Sequence, residues 1–387
     1  MKDRIYLDHN ATTPTDKRVL EAMLPYFSDN FGNASSLHRF GQRAHVALED
    51  ARAQVASILG AGEKEIVFTS GGSESDNFAV KGTAYSHQDK GRHIVTSAIE
   101  HPAVLNTCEH LQERGFDVTF ISVDERGVVD LNELEDAIRK DTILVTIMYA
   151  NNEVGTIQPI AEISKMVKKR GILFHTDAVQ AVGKLEMDVN RLGVDMLSVS
   201  AHKLYGPKGV GALYIRSGVE ITPLIHGGHH EKGRRASTEN LPGVVGLGKA
   251  CEICMSEMKE ESKRLTTLRE RLWEGLNSRI SDTTLLGHPT KRLPGTLAVA
   301  FKYVEGESVL LNLDLEGIAV SSGSACTSGS IEPSHVLLAM SVPPELARGG
   351  IRLSLGRGNT EEQIDRVIDV TPGIIEKLRA MSPLTKK

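Results

Sequence analysis

The stretch Val194-Asp195-Met196-Leu197-Ser198-Val199-Ser200-Ala201-His202-Lys203-Leu204-Tyr205-Gly206-Pro207-Lys208-Gly209 sets a lysine directly after an apolar run and directly before a glycine-rich turn. The run reads as a buried strand, and a polar side chain just past a strand end is where an α/β sheet builds its ligand sites. Lysine condenses with an aldehyde as the neutral amine, the form that a desolvated strand end favours. Most lysines are solvated surface charges, so Lys203 gains weight only from its company.

That company lies upstream. Gly171-Ile172-Leu173-Phe174-His175-Thr176-Asp177 is an apolar run that ends on an acid, and an unpaired buried carboxylate is costly. A pyridinium nitrogen would answer the need, because an acid held against it keeps the ring protonated as an electron sink. A helix N-cap or an ordinary salt bridge is the alternative reading of Asp177. In Glu65-Ile66-Val67-Phe68-Thr69-Ser70-Gly71-Gly72-Ser73-Glu74, a strand meets two glycines and a helix that opens at Ser73. Such a helix N-terminus attracts a phosphate, although glycine pairs between strand and helix also occur without a ligand.

The same punctuation recurs from about residue 42 to 215. Short apolar runs at 66–69, 93–97, 118–122, 143–149, 172–175, 196–199 and 212–215 alternate with helical patterns. This predicts an α/β fold with a mostly parallel sheet covered by helices on both faces. Ser70-Gly71-Gly72, residues 98–101, Asn151-Asn152, Asp177 and Lys203 all follow predicted strand ends, so they converge on one edge of that sheet. A long helical stretch at about 246–280 leads into a smaller α+β domain. The expected division is a large cofactor-binding domain over 13–260 and a small domain formed by 1–12 and 261–387.

The small domain holds Ser321-Ser322-Gly323-Ser324-Ala325-Cys326-Thr327-Ser328-Gly329-Ser330, a polar run of small residues with no helical or strand period. It reads as an exposed loop, and an exposed thiol there suits a reactive cysteine better than a packed one. Cys108 falls in a helical run and reads as packed. Cys251 and Cys254 form a C-x-x-C spacing inside a helical stretch, with no second pair to complete a zinc site. His226, His229 and His230 sit among glycines and read as phosphate-adjacent or solvated rather than metallic, so no metal is expected. Residues 243–250 fit the start of a nucleotide phosphate loop, but Ala250 lacks the hydroxyl for magnesium and no strand precedes it.

Together these segments resemble the NifS/IscS-type cysteine desulfurases, fold-type-I pyridoxal-phosphate enzymes of the class-V aminotransferase family. The resemblance spans the chain. It is carried further by Tyr6-Leu7-Asp8-His9-Asn10-Ala11-Thr12-Thr13-Pro14, Ser97-Ala98-Ile99-Glu100-His101-Pro102, Asn151-Asn152-Glu153-Val154-Gly155 and Gly350-Ile351-Arg352-Leu353-Ser354-Leu355-Gly356-Arg357. It implies that Lys203 holds the aldehyde of pyridoxal 5'-phosphate, Asp177 faces the ring nitrogen and His101 lies over the ring. Gly72, Ser73, Ser200 and His202 would hold the phosphate, with Thr238 reaching across from a second subunit. Asn152 and Gln180 would flank the ring hydroxyl. Arg352 would grip the substrate carboxylate, and Asn152 would also meet the substrate. Cys326 would accept sulfur from L-cysteine as a persulfide, leaving L-alanine, and pass it to an acceptor such as an iron-sulfur scaffold protein.

The sequence departs from the family pattern in places. Ser73 stands where threonine is frequent, which keeps the hydroxyl, and Ala236 stands near a position often smaller or polar. The chain ends soon after Ser382-Pro383-Leu384, without the longer tail that some members use to engage a scaffold. Selenocysteine lyase activity would use the same site. An aminotransferase would share Lys203 and Asp177 but has no use for Cys326.

Composition bounds the remaining classes. The chain has 387 residues, 40% of them hydrophobic, and a formal charge of −5 spread through mixed-sign segments. No apolar run is long enough to span a bilayer, and no basic stripe suggests nucleic acid. Four cysteines in such a length fit a reducing compartment. With no apolar signal core at the start, the cytoplasm is the expected compartment, and the resemblance implies a homodimer.

Overall fold

A computed structural model describes residues 4–322 and 333–382. The apolar runs form a seven-stranded sheet in the spatial order Ile66–Thr69, Gly211–Ile215, Met196–Ser200, Leu173–Asp177, Thr142–Thr146, His93–Ser97, Asp117–Ile121. From Met196–Ser200 to Asp117–Ile121 every neighbouring pair is parallel. Only Gly211–Ile215 runs antiparallel to both of its neighbours. The mostly parallel α/β sheet expected from the alternation is therefore present.

Six of the seven strands are buried almost throughout because both faces are covered, while the edge strand Asp117–Ile121 leaves Asp117 and Phe120 exposed. Side chains alternate across a strand, so Ile94, Leu144, Met196 and Leu213 enter the core on one face. Val95, Val145, Leu197 and Ala212 enter the core on the other. The helix Gly72–His87 lies across several strands and contributes Phe78 and Ala79 to the first of these cores.

The second half of the chain builds an antiparallel four-stranded sheet in the order Ser321–Ser322, Gly350–Ser354, Thr296–Phe301, Thr283–Leu286. Its core also takes in Ile5 and Leu7, because the N-terminal strand Ile5–Tyr6 pairs in parallel with Ile318–Ala319. One helix, Leu241–Arg279, serves both halves of the molecule. Val244, Leu247, Cys251 and Cys254 pack into the large core, and Leu265, Leu268, Leu272 and Leu276 into the small one. It starts five residues earlier than the apolar period suggests, since the Asn240 side chain caps the Gly243 amide at 3.2 Å and Pro242 tolerates the first turn. The glycines of 243–250 lie within this helix, which removes them from any phosphate loop.

The segment that carries Thr238 is pinned to the sheet by a buried ion pair. Arg52 meets Glu231 through two contacts of 2.8 Å, and both side chains are almost wholly buried. Glu231 also accepts from the Phe68 amide at 2.9 Å, and Arg52 donates to the Ile66 carbonyl at 3.0 Å. Glu231 and Lys232 adopt left-handed backbone, with φ of 47° and 58°, and these contacts hold them there. Glu231→Ala removes the bidentate partner of a buried guanidinium and leaves it only the partly exposed Glu49 carboxylate, at 3.0 Å, as an ionic partner, so it should cost about 3 kcal/mol in denaturant unfolding. A loss below about 1 kcal/mol, the level of an exposed pair, would contradict this role.

Candidate active site

Independent segments meet at the carboxyl edge of the large sheet. Strand Met196–Ser200 ends in the tight turn Ala201–Lys203, which turns the lysine back toward the N-terminal segment. There Lys203 Nζ donates to the carbonyl oxygens of Asn10, at 2.5 Å, and Ala11, at 2.7 Å. The same segment is fastened to the turn by Thr13, whose amide and hydroxyl both donate to the His202 carbonyl. Gln180 Nε2 donates to the Asn10 carbonyl at 3.0 Å. Asn10 Nδ2 reaches Thr296 Oγ1 at 2.9 Å and the Asn152 carbonyl at 3.1 Å, which ties the small sheet to the large one. Asn10 belongs to a run quoted above for its resemblance, yet no role fell to it there. Its working group is a backbone carbonyl, which has no sequence signature.

Asp177 ends the neighbouring strand and is buried. Its Oδ1 accepts from the Val179 amide at 2.9 Å. Burial pushes its carboxyl upward, while His101, the Val179 amide and Lys203 pull it back. Two further acids lie buried nearby. Glu100 is pushed up to about 8 by burial, although Ser97 and the Met148 amide donate to its Oε1. Asp76 is pushed up by burial and then by Asp177, with its Oδ1 3.8 Å from Nε2 of a neutral His175. Asp76 and Glu100 are thus held toward the neutral form, and Asp177 is the acid placed beside the Lys203 amine.

His101 caps the helix Pro102–Gln112, and its Nδ1 accepts from the Ala103 amide at 3.1 Å. That bond assigns the proton of the neutral ring to Nε2. Burial is the main cause lowering its pKa; Lys203 and His335 add to it and Asp177 opposes.

A phosphate-sized anion has a ready place at the helix Gly72–His87. Its N-cap is Gly71, so no side chain occupies the first amides. At Gly72 a Cβ would sit 2.7 Å from Val179 Cγ2 and 3.5 Å from Ser200 Cβ, so glycine is required for the turn to sit this close to Val179 and to the strand end at Ser200. Ser73 lies exposed in the first turn, and Ser200 is buried at its strand end. His202 sits beside them with Nδ1 3.1 Å from Thr12 Oγ1, and burial followed by the charges of Lys203 and Lys208 lowers its pKa to about 4. An amine and a buried acid at neighbouring strand ends, an uncapped helix end and a partly buried histidine at the same edge form a set that fits pyridoxal phosphate. The pyridinium would bring the positive partner that buried Asp177 calls for.

Arg352 projects from the strand Gly350–Ser354 with 5% exposure. It pairs with Asp8 at 2.7 Å and donates to the Asn152 carbonyl at 3.0 Å, and its buried Nε has no hydrogen-bond partner among the described residues. Cys326 lies outside the described residues, but both chain ends beside it are placed. Ser321 pairs in register with Arg352 on the entering side. On the returning side, the Ser334 hydroxyl donates to the buried carboxyl of Glu153, and His335 Nε2 lies 3.0 Å from the Glu100 carbonyl. Neither Glu153 nor His335 was singled out from the sequence, because a buried acid in a turn looks there like any solvated one. Cys108, Cys251 and Cys254 are buried free thiols, with burial pushing Cys108 up to about 12 and Cys254 to about 11. Thr238 is exposed and stands away from these contacts, after Ser237 at φ 107°.

Known proteins give the family of the chain. The aminotransferase class-V family model matches residues 5–367. A cysteine desulfurase IscS of Methanosarcina thermophila is 57% identical over 99% of this chain and 95% of its own. A cysteine desulfurase of Trichormus azollae is 54% identical over 98% of this chain and 94% of its own. Among solved structures, a NifS-like protein superposes with a TM-score of 0.92 at 44% identity, covering 97% of this chain and 100% of that one. SspA in complex with cysteine does so with 0.82 at 41% identity, over 91% and 99%. Sheet, strand-end residues and full-length similarity agree: this chain belongs to the class-V aminotransferase family, among its cysteine desulfurases.

Proposed function

We propose that this protein is a pyridoxal-phosphate-dependent cysteine desulfurase, which converts L-cysteine to L-alanine and carries the sulfur away as a persulfide on Cys326. The single observation that supports it best is the convergence of Lys203, Asp177 and His101 at one sheet edge where both ends of the Cys326 segment also arrive. Bound there, pyridoxal phosphate would supply an aldehyde for amines and a sink for the electrons released at the substrate Cα.

The chain's own residues would divide the work. Arg352 orients the substrate carboxylate, and its buried Nε is a donor already desolvated for that purpose. Lys203 first holds the cofactor and then, freed as an amine, takes the α proton. Asp177 keeps the ring nitrogen protonated, while Gly72, Ser73, Ser200 and His202 hold the phosphate with Thr238 of a second copy. Asn152 and Gln180 flank the ring hydroxyl. His101, neutral and carrying its proton on Nε2, moves a proton at the substrate thiol.

The Cys326 thiolate attacks the substrate sulfur. The new S–S bond forms as the Cβ–S bond breaks, its electron pair stays with carbon, and a proton completes alanine. The thiol is oxidised to the persulfide level and the carbon is reduced, so no outside oxidant is needed. The persulfide then passes to an acceptor thiol, with an iron-sulfur scaffold protein as the proposed recipient.

A homodimer suits this reading on its own evidence. Leu24, Phe27, Phe31, Leu37, Phe40 and Val46 are all more than half exposed within one short span of chain, an apolar surface that a second copy would cover. No helix among the described residues is long and apolar enough to cross a membrane. The cytoplasm is the proposed compartment.

Incubated with L-cysteine and no reductant, the protein should gain about 32 Da, one sulfur, on the peptide bearing Cys326. Cys326→Ser should still bind cofactor and L-cysteine but make no alanine, since a hydroxyl cannot hold a persulfide. Sulfur on Cys108, Cys251 or Cys254, or alanine formed at the normal rate by the variant, would overturn the proposal. Lys203→Ala should lose the visible absorbance of the bound cofactor together with turnover; turnover near the normal rate would displace Lys203 from its role.

A further inference from the structure

Beside Lys203 lies a second lysine that the reaction above does not use. Lys184 donates to Gln180 Oε1 at 2.8 Å and approaches Asn10 Oδ1 at 3.5 Å. The first contact decides which end of the Gln180 carboxamide is oxygen, because an ammonium can only donate. With Oε1 on Lys184, Nε2 is left to donate to the Asn10 carbonyl at 3.0 Å, and that carbonyl also accepts from Lys203 Nζ. Lys184, Gln180, Asn10 and Lys203 therefore form one hydrogen-bonded chain that ends on the reacting amine.

The surroundings add charge to this geometry. His9, Lys184, Lys203, Glu261 and Arg357 line a cavity of about 30 Å³ behind the amine, room for one water molecule. Lys184 feels Lys203 from the turn after its strand, Arg352 from the small sheet and the Cys254 thiol from the long helix. His9 and His202 in turn feel Lys184, and Glu261 on the long helix is the carboxylate on the cavity wall. Burial, then the charges of Lys203 and Arg352, push Lys184 down to about 7, with Cys254 opposing. Two amines so close cannot both hold protons without mutual cost.

We infer that Lys184 is a positioning residue for Lys203: through Gln180 and the Asn10 carbonyl it fixes where Nζ sits, and its positive charge keeps more of the Lys203 amine neutral. The inference rests on Lys203 being the amine that reacts. A structural lysine that merely filled its site would not set the titration of its neighbour.

The test reads Lys203 directly, in the full chain stripped of cofactor, by its acetic anhydride labelling rate at about pH 6, where Lys184 holds its proton, with peptide mass spectrometry. Lys184→Met should lower that rate about tenfold, the equivalent of one pKa unit. Lys184→Arg, which keeps a charge and a donor, should label near the original rate. A folded Met variant with an unchanged rate overturns the inference, and so does an Arg variant that behaves like Met. Should the Met variant fail to fold, Lys184→Gln takes its place, and an unchanged rate there overturns the inference. Whether Lys203 takes the cofactor is read separately, by borohydride reduction with pyridoxal phosphate and peptide mapping. Attachment elsewhere would sink the functional reading and leave the labelling result standing.

Discussion

A carboxyl group buried at the end of a central strand is the constraint to which the rest of this site answers. Asp177 cannot stay ionised in such a place without positive charge or donors nearby. The fold supplies the Val179 amide, Lys203 and His101. It also takes away competition, since burial of Asp76 and Glu100 drives both toward neutral acids. Negative charge at the sheet edge is thereby concentrated on one residue. A pyridinium ring is the partner that such a site favours, and the uncapped helix at Gly72 offers its phosphate a place within reach of the same edge.

The site stays assembled because the N-terminal segment is shared. Ile5 and Leu7 pack in the small core, while Asn10, Ala11 and Thr13 grip the turn that bears Lys203. Arg352 extends the tie by pairing with Asp8 and holding the Asn152 carbonyl. A shift of the small sheet would therefore move the carbonyls that Lys203 contacts, Arg352 and the entry to the Cys326 segment together. Such coupling suits a reaction in which amine, arginine and thiolate must meet one small substrate.

Much of this was legible in the sequence, and the reason is chemical. Six of the seven strands of the large sheet are buried almost throughout, so they read as short, mainly apolar runs, and Ile66–Thr69 and His93–Ser97 fall where those runs do. The strand expected at 143–149 ends at Thr146, yet the amides of Ile147 and Tyr149 still bond to the next strand through the carbonyls of His175 and Asp177. Lys203 and Asp177 stood out because a polar group after such a run is costly without a purpose. His101, Gln180 and Arg352 had no such signal and came from the resemblance. Asn10 acts through its backbone, and Asp76, Glu100 and Lys184 sit in helical or turn segments where a charged residue normally faces water. Only the packed structure distinguishes these from a solvated surface.

The most direct test of the account is the exchange of the α hydrogen of L-alanine in deuterated water, which needs Lys203 and Asp177 but not Cys326. In Asp177→Asn the cofactor should still bind, and its visible absorbance should show this. Exchange should slow by at least about a hundredfold, in line with the loss of a charge-assisted contact to the ring nitrogen. Exchange at the original rate, with cofactor bound, would contradict the assignment of Asp177 as the group that sustains the electron sink.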